Sequence, residues 1–265
     1  MKKLAYGIVL AFAAMSAASA FVAGTLPAGY TEVQYIESSG TQNLNTGIAP
    51  KTTTRVVCDF QYTVVDGSAQ CGWGSTGSKE SFFFGVAGDG TFKASVSGNF
   101  TVSPTGVAAD TDRHTFDISM SALKLDGTAF ANATTSPFSN AASGNTLYLF
   151  ALHAGWSPNV VNYASMRIYS CKIYDGETLV RDFVPVVRAS DSKAGLYDLE
   201  TDAFFGNGGT GDFSAGPEVL QSDDALGVSG FPGLYGSPTP AYGIHTGLSA
   251  GDTVAVSCAI LCHYR

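Results

Sequence analysis

Long apolar runs are missing from this sequence, and charge is sparse. The longest apolar stretch, from Leu4 to about Met15, has about twelve residues, whereas a bilayer-spanning helix needs roughly 20. Asp, Glu, Lys and Arg make up 14% of the 265 residues while aromatics reach 12%, the opposite of a disordered composition. After the first twenty residues no window repeats its apolar positions at helical spacing, which argues against a helical bundle. No His-x-x-x-His pair occurs, so a zinc hydrolase lacks its signature. The four histidines, His114, His153, His245 and His263, are dispersed.

What is present begins with an export signal. Lys2 and Lys3 precede the apolar run, and Ser16-Ala-Ala-Ser-Ala20 closes it. Basic, apolar and small in that order is the pattern of a secretory signal peptide, with cleavage expected after Ala20. Without Lys2 and Lys3, 12 basic residues face 22 acidic ones. Nucleic acid and anionic membrane are therefore not expected partners, because both select basic patches. The mature chain is expected to be secreted or held at the cell surface, without membrane insertion.

Five cysteines follow the signal: Cys58, Cys71, Cys171, Cys258 and Cys262. Export permits disulfides, but an odd count leaves at least one thiol unpaired within the chain, and connectivity is not readable. Cys58 and Cys171 fall in strand-like runs and read as small buried hydrophobes. Cys258-x-x-x-Cys262 has a spacing seen in metal sites but lacks a second ligand pair.

Period-two patterning dominates the rest. Val56, Cys58, Phe60, Tyr62 and Val64 share one face of a run whose other face holds Arg55, Asp59, Gln61 and Thr63, as in a half-buried strand. Asp66-Gly67, Gly88-Asp89-Gly90, Asp126-Gly127 and Asp175-Gly176 punctuate further runs as turns. Thr146 to Leu152 is nearly all apolar and predicts one central strand. Eight or more short strands with turn punctuation predict an all-β fold, a two-sheet antiparallel jelly-roll sandwich; the patterning also fits a closed barrel. A composition shift at Ser214-Ala-Gly-Pro217 sets the expected divisions: 1–20 signal helix, 21–28 linker, 29–218 sandwich, and 219–265 a linker with an incomplete second β module. That last segment is too short to bury a core of its own.

Three stretches carry a resemblance. Leu26-Pro-Ala-Gly-Tyr-Thr-Glu-Val-Gln-Tyr-Ile-Glu-Ser-Ser-Gly-Thr-Gln42 resembles the opening strand of secreted bacterial and phage-associated modules of concanavalin A-like fold, related to lectins, glucanases and laminin G domains. Met166 to Pro185 is similar to their closing hairpin, and Gly195 to Asn207 to their final turn and strand. Where relatives commonly read Tyr-Ile-Asp-Thr-Gly, this chain has Asn43-Leu-Asn45-Thr-Gly47, an amide in place of an acid. The tail, Tyr235 to Gly243 and Gly247 to Val256, resembles the start of a β-rich repeat of large bacterial surface proteins. That pattern stops after Ser257, so the chain reads as a truncated or frame-shifted piece of a longer surface protein.

The resemblance implies a binding module or a glucanase. A retaining glucanase needs two carboxylates about 5 Å apart, and family members place them in a Glu-x-Asp-x-x-Glu pattern that is absent here. Asp198 and Glu200 share a strand face but sit in the turn-and-strand stretch, and Glu32 and Glu37 point to opposite faces of a regular strand. A glycoside hydrolase is thus the last of three readings. The first is a non-catalytic module recognising carbohydrate. The second is a structural or adhesive domain whose partner is another surface protein.

Sugars are held by aromatic faces and by amides on their hydroxyls. The segment His153-Ala-Gly-Trp156-Ser-Pro-Asn159-Val-Val-Asn162-Tyr163 has that composition, and His153, Trp156, Asn159, Asn162 and Tyr163 are the candidate contacts, although Trp156 would equally serve to cap the sandwich edge. Trp73 and His114 read as packed core residues. Gly206-Asn-Gly-Gly-Thr-Gly211 reads as a turn, since no helix follows it to bind phosphate. No cofactor is expected. A structural calcium would need clustered oxygens, for which Asp66, Asp89, Asp110 and Asp112 are scattered candidates. The sequons at Asn99 and Asn132 matter only in a glycosylating host.

Overall fold

A computed structural model describes residues 26–76, 81–97, 103–130, 135–136, 145–155 and 159–219, all within Met1–Val219, the first of two compact units of the chain. The signal segment, Trp156, both sequons and everything beyond Val219 lie outside the described residues. The strands, in chain order, are β1 (Tyr30–Glu32), β2 (Ile36–Ser39), β3 (Leu44–Asn45), β4 (Thr54–Tyr62), β5 (Gln70–Thr76), β6 (Ser81–Val86) and β7 (Thr91–Ser97). Then come β8 (Ser103–Ala108), β9 (Arg113–Ile118), β10 (Leu123–Leu125), β11 (Thr128–Ala129), β12 (Thr135–Ser136), β13 (Tyr148–Leu149), β14 (Leu152–His153) and β15 (Val160–Val161). The last are β16 (Ser165–Asp175), β17 (Thr178–Arg188), β18 (Lys193–Asp198), β19 (Ala203–Phe205) and β20 (Ser214–Ala215).

They form two sheets. The first runs β11-β10-β9-β4-β16-β17-β18-β19, with β1 on β17, β2 on β16 and β20 on β2; the second runs β12-β7-β6-β5-β13-β3, with β8 on β7, β14 on β5 and β15 on β14. Pairing is antiparallel except between β12 and β7 and between β14 and β5. No helix occurs among the described residues.

The sheets pack face to face because their inward faces are apolar at period two. On β4, Thr54, Val56, Cys58, Phe60 and Tyr62 are buried while the residues between them are not. Aromatic rings close the gap between sheets: Phe60 lies 5.5 Å from Trp73 and 5.1 Å from Phe84, and Phe116 lies 4.0 Å from Phe84. Burial of each such ring stabilises the fold by about 1.5–3 kcal/mol. The expected all-β sandwich and the burial of Trp73, Cys58 and Cys171 are found as read.

The central strand carries a bulge. On β16, Ile168 faces Phe60 and Ser170 faces Asp59, so Tyr169 is an extra residue against β4. Both Tyr169 and Ser170 stay off the core, and Ile168 and Cys171 both remain fully buried. At the turns, Asp126 (φ 48°) and Gly127 (φ 77°) link β10 to β11, the two positive-φ positions that twist a tight hairpin correctly.

Two expectations are corrected. Thr146 to Leu152 is not one strand: β13 runs antiparallel to β5, and β14 then runs parallel to it. The chain hooks at Phe150, whose φ is 64°. Phe150 N–H donates to the Gly72 carbonyl (2.6 Å), and its ring packs on Phe213 at 4.8 Å; a fully buried anchor thus holds a backbone shape that apolar patterning cannot signal. His114 also differs from a plain core residue. It lies on the inner face, its ring 6.0 Å from Phe60 and 5.8 Å from Phe92. Yet it sits at the rim, with both nitrogens on carboxylates, Asp110 at 2.8 Å and Asp126 at 2.7 Å.

The two ends of the described sandwich run side by side. Gln34 N–H donates to Pro217 O (2.8 Å) and Val219 N–H to Glu32 O (2.9 Å), around an antiparallel bridge between Val33 and Glu218.

Candidate functional site

The outer face of the second sheet holds a shallow pocket of about 170 Å³. Its position follows from the cross-strand register. Cys71, Gly85 and Lys93 form one row across β5, β6 and β7, and Gly74 and Phe83 begin the next. No side chain fits at Gly85, because a Cβ there would stand 2.1 Å from the Gln70 carbonyl. Lys93 and Phe83 therefore border a gap, which Gln70, Gly88, Leu152 and Asn162 complete.

The segment His153–Tyr163 reaches this pocket through Asn162. Its carbonyl accepts the Cys71 N–H at 2.7 Å, and its φ of 53° turns the chain there. Asn and Asp tolerate that left-handed conformation better than other side-chain-bearing residues. Ala154 N–H donates to the Asn159 carbonyl (2.7 Å), and Val160 and Val161 pair with His153 and Leu152. The two described arms of the segment are therefore paired with each other, and the first is laid along β5. Asn159 and Asn162 are exposed and Tyr163 is half-buried.

His153 is held otherwise than a ligand contact would require. Its Nδ1 donates to the Thr146 carbonyl (2.8 Å), and its ring packs 4.6 Å from Tyr148. Of the five candidates, then, the structure brings Asn162 to the pocket and ties His153 into the scaffold; Trp156 is outside the described residues. Phe83, Lys93 and Gln70 were not foreseen. The signal was available for Phe83, since alternation in Ser81-Phe-Phe-Phe-Gly-Val86 sends Phe83 to the face opposite Phe82 and Phe84. For Lys93 and Gln70 it lies only in the register between strands.

Among the described residues Lys93 is the one charged side chain lining the pocket, and no carboxylate lines it. The pocket is smaller than the roughly 300–1,000 Å³ typical of a site that engulfs a drug-sized molecule, so it suits one ring or one branch of a larger ligand. Burial pushes the Cys71 thiol far above its ordinary range, leaving it a poor nucleophile.

A second built surface covers the outer face of the first sheet. Arg55 pairs with Asp117 and Arg113 with Asp59, each through two hydrogen bonds of 2.7–2.8 Å. The Arg113 guanidinium stacks 3.7 Å from the Tyr169 ring, and Arg167 lies 4.4 Å from the Tyr35 ring while bonding Glu37 at 2.6 Å. Tyr169 OH donates to Gln61 at 2.7 Å.

The carboxylates weighed for hydrolysis are placed apart from the pocket. Glu37 is bound to Arg167. Asp198 is fully buried and accepts from Asp182 N–H (2.8 Å), Glu200 N–H (3.2 Å) and the Thr201 hydroxyl, which makes it the organiser of the turn after β18. Asp66 caps the Ser68 N–H and Asp89 the Thr91 N–H, while Asp110 binds the Asp112 N–H and His114. Among the described residues no group of three or more His, Cys, Asp or Glu is placed to hold a metal. Asn45 Oδ1 accepts the Gly47 N–H (2.9 Å), so this amide works as a turn cap. The glycine-rich turn packs on the connection between β2 and β3: Asn207 Oδ1 accepts Asn43 N–H (3.0 Å), and a Cβ at Gly209 would meet Thr41 O at 2.2 Å. Gly247-Leu-Ser249-Ala-Gly251 has the spacing of a nucleophile elbow, a motif that also needs a strand-to-helix setting; it lies outside the described residues.

No family model matches the sequence, and no curated protein matches it. No helix among the described residues is long and apolar enough to cross a membrane.

Proposed function

We propose that residues 29–218 are an exported, non-catalytic binding module of concanavalin A-like, jelly-roll type that takes carbohydrate at the pocket beside Asn162. The observation that carries this reading is the meeting of Asn162 with Phe83 and Lys93 on a sheet face. It offers a hydrophobic ring for sugar C–H groups, an amide and an ammonium for hydroxyls, and, among the described residues, no acid–base pair. Asn159 and Trp156 extend the same segment. A glycan array with the chain lacking residues 1–20 tests it. Binding should fall at least tenfold in Phe83→Ala and Asn162→Ala, and should weaken in Trp156→Ala. Binding that is unaffected by all three, or no binding to any glycan, overturns it.

A second reading, an adhesive module with a protein partner, is favoured by the first sheet's outer face. Tyr35, Tyr169, Arg113 and Arg167 stand there together, and Tyr and Arg are the residue types enriched at protein interfaces. Under that reading Tyr169→Ala abolishes adhesion to a protein-coated surface and Phe83→Ala does not.

A further inference from the structure

Cys58 and Cys171 stand directly opposite each other on β4 and β16. Both are unbonded thiols, both are fully buried, and both point into the space between the sheets. In the row across the first sheet their outer neighbours are Phe116 and Phe183, also fully buried. Cβ atoms of directly opposed residues lie about 4.5–5.5 Å apart, and a disulfide closes at about 3.5–4.5 Å. A movement of about an ångström, shared between two strands, is enough.

We propose that Cys58 and Cys171 form a cross-strand disulfide that is set while the sandwich folds. The oxidant is a small-molecule disulfide of the exporting compartment. One cysteine thiolate attacks a sulfur of that disulfide, giving a mixed disulfide and releasing one small thiol. The second cysteine thiolate then attacks the protein sulfur of the mixed disulfide and releases the second small thiol. Two protein thiols are thereby oxidised, and one small disulfide is reduced to two thiols.

Timing follows from burial. Burial first, and then the neighbouring Cys171 thiol, push the Cys58 thiol well above its ordinary range. Little thiolate exists once the sheets have closed, so exchange belongs to the open chain. Cys71 is on the other sheet, its Sγ 3.6 Å from the Phe84 carbonyl, and is opposite no cysteine. The proposal relies on export only for its oxidant. Cell fractionation tests export separately from the capacity to form the bond.

The experiment starts from the full chain, reduced and denatured, and refolds it in oxidised and reduced glutathione. The product is alkylated without reduction, digested and mapped by mass spectrometry. A peptide pair joined through Cys58 and Cys171 is expected. Reduction should lower the Tm by on the order of 10 °C, the effect of a bridge across a long loop in a domain of this size. Cys71→Ser should keep both the linked peptides and the Tm difference. Cys58→Ala should keep neither, and the wild-type map decides the matter if that variant does not fold. Quantitative alkylation of Cys58 and Cys171 after refolding in the oxidant, or linkage of either to another cysteine, overturns the proposal.

Discussion

At the scale of single residues, close backbone approach sets the hardest constraints. Gly85 is the last residue but one of β6, with nothing in its local sequence to require glycine. The requirement comes from β5: a Cβ at Gly85 would sit 2.1 Å from Gln70 O and 3.0 Å from Cys71 Cα, both backbone atoms. Backbone cannot swing aside as the tip of a side chain can, so Gly85→Ala must part the two strands. A cost of about 3 kcal/mol is expected, the upper range for overpacking, seen as a lower urea midpoint with unchanged slope. The same variant should distort the pocket, because Cys71 and Lys93 are its row neighbours. Glycine's meaning here depends on a partner strand, so it was not legible in the sequence. The opposite holds for Asp126-Gly127, whose hairpin is local and was read correctly.

At the scale of elements, β16 shows how a strand tolerates irregularity. The bulge lets Tyr169 and Ser170 both avoid the core, so the alternation on either side stays in phase with it. Deleting Ser170 would leave Met166, Ile168, Cys171 and Ile173 alternating inward without interruption. On the far edge of β16 the ladder with β2 ends at Ile168 and that with β17 begins at Cys171, so slack exists where it is needed. The deletion should therefore cost no more than about 2 kcal/mol, within the ordinary range of single changes. Deleting Lys172 instead forces Ile173 out and Tyr174 in, and should cost more than about 3 kcal/mol or abolish soluble folding. Comparing the two denaturation midpoints checks this. Period-two patterning made such long strands readable as strands and placed Cys58 inside, whereas Trp73 was placed there by the burial tendency of its side chain. It failed at Thr146 to Leu152, where hydrophobicity reported burial correctly and direction not at all. The candidate segment was proposed from its Asn and aromatic content. The pocket beside it was not, because Phe83, Lys93 and Gln70 come from three strands whose register the sequence does not display.

At the scale of the whole molecule, the two sheets are tied at one rim by charge. His114 on β9 receives Asp110 from the connection after β8, a strand of the second sheet, and Asp126 from the β10–β11 turn. Partial burial opposes the charged ring, but the hydrogen bonds to Asp126 and Asp110 overcome it and hold the imidazole above its ordinary value of 6.5. A raised pKa in the folded state contributes stability that is complete below the unfolded value and lost as pH rises through the folded one. Asp110, partly desolvated but bonded to His114, is held below its ordinary value of 3.8; its contribution is present above that value and lost as pH falls through the folded one. The Tm should thus decline from pH 6 to pH 9, and His114→Gln should flatten that decline while lowering the Tm at pH 6. A decline equal in the two proteins would remove His114 as its source. The paired ends of the sandwich carry a mechanical consequence. Val33 and Glu218 belong to antiparallel segments whose free ends leave on the same side. Tension applied between residue 30 and residue 219 loads their hydrogen bonds one after another, as a zip does, instead of shearing them together. Under load the border between β2 and β20 should open at low force, long before the aromatic core yields.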